Sequence, residues 1–66
     1  MKLYFEAGKE KRLAIDTELK TCNTNYYYLG PHRHYIKISV GDYYDMVYDL
    51  ANEGWKYDDD FGRPKA

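Results

Sequence analysis

Nine tyrosines in 66 residues, against twelve Leu, Ile, Val and Phe taken together, decide how this chain can build an interior. So few aliphatic side chains signal disorder only when net charge is also high. Here ten Lys and Arg meet eleven Asp and Glu, a formal net charge of -1. The sequence therefore predicts a fold whose core leans on tyrosine rings. A chain this short buries only about 60% of its unfolded surface, leaving little core from which to hollow a deep cavity. Enzyme sites need such a cavity and a supporting shell, so a non-enzymatic role is expected. The near-balanced charge also speaks against a wholesale polyanion binder. Cys22 is the single cysteine, which excludes an internal disulfide and favours a reducing, cytoplasmic setting. No run approaches the roughly 18 apolar residues of a membrane span, and the N-terminal residues lack a signal-peptide apolar stretch. A homodimer is one source of extra stability for a domain of this size.

Alternation of Leu3 and Phe5 with Lys2, Tyr4 and Glu6 predicts a strand over 1–7. Gly8 to Lys11 reads as a turn, and Leu13 and Ile15 as the inner face of a second strand that extends toward Thr17 and Leu19. A helix over 9–20 competes on propensity, but its apolar residues do not recur at helical spacing. Lys20 to Asn25 reads as a loop. Tyr26 to Leu29 has strong β-propensity, and Gly30-Pro31 stops it. His34 to Ser39 reads as a further strand, antiparallel to 26–29.

Ser39 is a candidate N-cap, and Asp42 suits the positive end of a helix dipole. A helix over Asp42 to Glu53 places Val40, Tyr44, Val47 and Ala51 in one arc, at about 100° per residue. Tyr43, Tyr48 and Leu50 flank that arc, and Asp42, Asp45, Asp49 and Glu53 lie opposite it. Gly54 supplies a left-handed stop, and Trp55 to Tyr57 a short last strand. Asp58 to Phe61 reads as its polar continuation. The expected architecture is α+β: an antiparallel sheet of three or four strands with one amphipathic helix on one face. It forms a single domain over 1–61 with a frayed tail at 62–66. The expected core is Leu3, Phe5, Leu13, Ile15, Ile36, Ile38, Tyr44, Val47, Leu50, Ala51 and Trp55.

The junction Leu50-Ala51-Asn52-Glu53-Gly54-Trp55 resembles small bacterial and phage domains of unknown function in which a helix ends in Glu-Gly-Trp and leads into a strand. The likeness covers about a quarter of the chain. It implies an α+β fold with the helix packed on a sheet and carries no function over.

Charge is divided along the chain. Residues 1–37 hold seven bases and four acids, and residues 38–66 hold three bases and seven acids. No Lys or Arg stands between Ser39 and Trp55. A solvated helix usually interleaves signs, gaining about 0.2–0.5 kcal/mol per spaced pair and losing as much for like charges. The row Asp45, Asp49, Glu53 accepts that repulsion. One reading is a solvated face, paired in part with bases of the sheet. The other is an anionic ridge, extended by Asp58, Asp59 and Asp60 and flanked by Tyr43, Tyr48 and Tyr57. Such a ridge would dock on a basic, nucleic-acid-handling protein by mimicking phosphate charge. Small inhibitor proteins of phages and mobile elements resemble this chain in size and composition.

A rival site lies in the middle. Tyr27, Tyr28, His32, Arg33 and His34 combine stacking surfaces with positive charge, the ingredients of a single-stranded nucleic-acid platform, although no motif of the common modules is present. A third reading is a small homodimeric accessory protein. Cys22, His32 and His34 lack a fourth zinc ligand at recognisable spacing. Asp58-x-Asp60-x-Gly62 lacks the length and the final Glu of a calcium loop. No metal, cofactor or catalytic residue is expected.

Overall fold

The computed structural model describes residues 1–24 and 34–61. Among the described residues five strands and one helix follow in chain order: β1 (Lys2–Ala7), β2 (Lys11–Asp16), β3 (Thr21–Asn23), β4 (Ile36–Lys37), α1 (Val40–Asn52) and β5 (Lys56–Tyr57). They form one sheet of order β4-β1-β2-β3-β5. The α+β class and the single helix agree with the sequence. The sheet, however, is mixed and has five strands. β1, β2 and β3 pair antiparallel, while β4 lies parallel to β1 and β5 parallel to β3.

α1 joins two strands that do not pair with each other. β4 and β5 occupy opposite edges of the sheet, four strand spacings or roughly 19 Å apart. The 13 residues of α1 rise about 20 Å, so the helix is long enough to carry the chain from one edge to the other.

The first hairpin forms as the alternation predicts. Leu3 faces Ile15 and Phe5 faces Leu13 across the β1–β2 ladder, and Gly8 takes the positive φ of the turn. β2 ends earlier than expected, at Asp16, and Thr17 to Lys20 turn the chain into β3. Asp16 Oδ1 accepts the backbone N–H groups of Glu18 and Leu19 at 3.0 and 3.3 Å. Asp side chains organise turns in this way. Lys20 closes the turn at φ 53°. The stretch expected as a loop thus supplies β3, with Cys22 opposite Ile15.

The strand expected over 34–39 is reduced to Ile36–Lys37. It pairs only with Phe5 and Glu6, because Ser39 already serves the helix. The Ser39 hydroxyl accepts the Asp42 N–H at 3.0 Å, and helical geometry begins at Val40. At the other end Gly54 adopts φ 78°. Its N–H donates to Ala51 O at 3.3 Å, and the Trp55 N–H donates to Leu50 O at 3.1 Å. These two bonds make a Schellman stop, and Trp55 packs with Leu50 as its apolar partner.

The main core lies between α1 and the sheet: Phe5, Ala7, Leu13, Ile15, Tyr43 and Leu50 are buried. Leu3, Cys22, Ile38, Met46, Val47 and Trp55 pack around them, partly buried. Three expected core residues are instead exposed: Ile36 on the edge strand, and Tyr44 and Ala51 on the helix. The buried stripe of α1 is Tyr43, Met46, Val47, Leu50, the i, i+3, i+4, i+7 pattern of one helix face. It is centred roughly 80° around the helix from the stripe 40/44/47/51.

The opposite face of the sheet carries a smaller cluster. Ala14 and Phe61 are buried there, with Tyr4 and Tyr35 against them. Phe61 stacks on Tyr4 (6.1 Å between centroids, 8° between planes), so 58–61 is a packed turn and not an extension of β5. Asn23, almost wholly buried, fixes it. Its amide donates to Phe61 O at 2.8 Å and Asp59 O at 3.3 Å, and its Oδ1 accepts the Tyr57 hydroxyl at 3.0 Å. The expected strand at 26–29 and the tail at 62–66 lie outside the described residues.

Candidate docking surface

Because Tyr43 and Leu50 anchor α1 to the sheet, the rest of its circumference is left as surface, and that surface has two unlike flanks. One carries Asp42, Asp45, Asp49 and Glu53, all exposed. Placed at about 100° per residue, they span an arc of roughly 80°. The other carries Val40, Tyr44, Tyr48 and Ala51. Val40 is 46% exposed, Tyr44 53% and Tyr48 69%.

The described ion pairs join the N-terminal ammonium to Asp16 and Glu18, and Lys37 to Glu6. None reaches α1. Asp42 sits in the first turn, where the dipole favours a carboxylate. Glu53 stands at the unfavourable end, and its Oε2 accepts the Trp55 indole N–H at 3.1 Å, which offsets that cost locally. Asp45 and Asp49 have neither a capping role nor a basic neighbour on the helix. The four helical carboxylates predicted to form a ridge are therefore brought together.

The Asp58–Asp60 run belongs elsewhere. Asp58 Oδ1 accepts the Asp60 N–H at 3.0 Å, and the Asp58 N–H donates to Cys22 O at 2.9 Å. This turn leads the chain to the face opposite the helix, where Phe61 packs. Tyr57 is 48% exposed and its hydroxyl is committed to Asn23. Tyr43, the third tyrosine expected beside the ridge, is buried against the sheet, so Tyr48 alone of the three stands exposed on the helix.

Tyr44, expected in the core, is a surface residue. Its ring meets Tyr43 edge-on (5.4 Å, 80°), and Lys11 Nζ lies 5.5 Å from its centroid. The neighbouring Tyr44 hydroxyl raises the Lys11 ammonium's pKa above its ordinary value. The spacing 43/46/47/50, with Met46 included, was the signal that could have shown which stripe is buried.

Of the rival group, Tyr27, Tyr28, His32 and Arg33 lie outside the described residues, and His34 is exposed. Among the described residues no group of three His, Cys, Asp or Glu side chains could hold a metal ion. Cys22 is half-buried, and burial pushes its thiol pKa up, which lowers the thiolate fraction a nucleophile needs. It lines an apolar cleft of about 270 Å³ between the second half of α1 and β3 and β5, together with Leu13, Val47, Leu50, Trp55 and Tyr57. No described helix is long and apolar enough to cross a membrane.

No protein family, no curated protein and no solved structure matches this chain.

Proposed function

We propose that this protein is a non-enzymatic binding module that docks the acidic side of α1 on a basic protein partner. The observation that carries this is the state of Asp45 and Asp49. They are exposed, one helical turn apart, unpaired by any described cation, and set in a helix with no Lys or Arg. Like charges at this spacing cost the free helix a few tenths of a kcal/mol, a cost that cations on a partner would reverse. Complementary potential chiefly raises association rate and specificity. Carboxylates along a helix also present charge where a nucleic-acid-binding protein expects phosphates, whose contacts supply much of such affinity. The partner class is therefore a nucleic-acid-handling protein, and the effect on it is inhibition by occupancy. An inhibitor of the kind carried by phages and mobile elements fits this reading.

The test is charge reversal. Wild-type protein immobilised in host lysate should capture a basic protein at low salt and release it at high salt. The Asp45→Lys/Asp49→Lys variant should capture none of it, while its circular dichroism and melting midpoint stay unchanged or rise slightly. A reversed variant that captures the same protein equally well would reduce the ridge to a solvated face.

A further inference from the structure

We draw no further inference here: the strongest candidate, the apolar cleft between the second half of α1 and strands β3 and β5 into which Cys22 opens, has a lining that selects no ligand chemistry, and nothing in the structure shows what covers it.

Discussion

Which face of α1 is buried determines everything said about its surface, and two adjacent tyrosines report it. Tyr43 is 7% exposed and Tyr44 53%. At roughly 200 Å² per side chain, Tyr43 keeps about 90 Å² more out of water, and at ~25 cal/mol per Å² that difference is about 2 kcal/mol. Tyr43→Ala adds the cost of the cavity it leaves under the helix, whereas Tyr44→Ala forfeits edge contact and a cation–π interaction of about 0.5–1 kcal/mol. Tyr43→Ala should therefore destabilise the protein by at least about 2 kcal/mol more than Tyr44→Ala. Urea unfolding followed by Trp55 fluorescence reads this out. With a slope near 1 kcal/mol per M for so small a domain, the two midpoints should differ by about 2 M. Total stability for 66 residues is of order 3–10 kcal/mol, so Tyr43→Leu against Tyr44→Leu provides the same comparison if the alanine variant does not fold. Equal losses, or a larger loss at Tyr44, would mean that α1 sits with Val40, Tyr44 and Ala51 inward.

Asn23→Ala should cost about 2–4 kcal/mol, because it leaves the Phe61 and Asp59 carbonyls without their buried donor. It should also raise amide exchange over 58–61 before the rest of the protein opens; uniform exchange would refute the clamp. Burial raises the pKa of the Cys22 thiol above its ordinary 9.0 and of the Tyr43 phenol above its ordinary 10.0. In both cases the unfolded chain gives up its proton first. Stability from these groups is thus complete below about pH 9 and declines as pH climbs toward the folded-state values. Urea midpoints should fall through that alkaline window, less so in Cys22→Ala, and a flat profile to pH 11 would contradict the burial of both.

Much of this architecture can be read from residues close together in sequence. Ser39 before Asp42, Gly54 before Trp55, and the alternation around Leu3, Phe5, Leu13 and Ile15 are local signals with local physics, and each forms the element it announces. What escapes such reading depends on distant partners. β4 and β5 are two residues long, too short to carry a pattern, and each is defined by a strand distant in sequence, β1 for β4 and β3 for β5. Phe61 ends a run of aspartates, and only its stacking on Tyr4 reveals it as core. The helix face was ambiguous for a different reason. Tyrosine suits water and interior almost equally, so Tyr43, Tyr44 and Tyr48 give two plausible apolar stripes, and Met46 breaks the tie. The acidic flank was legible because charge pattern needs no partner to be recognised. That Asp58 to Asp60 turn away from it was not, because Asn23 lies more than thirty residues upstream.

The docking of α1 on a cationic partner is best tested by competition. The captured partner, bound to a fluorescent oligonucleotide, is titrated with this protein at low salt. The account predicts stoichiometric release of the oligonucleotide by wild-type protein and none by Asp45→Lys/Asp49→Lys. A ternary complex that retains the oligonucleotide, or equal release by both proteins, would contradict it.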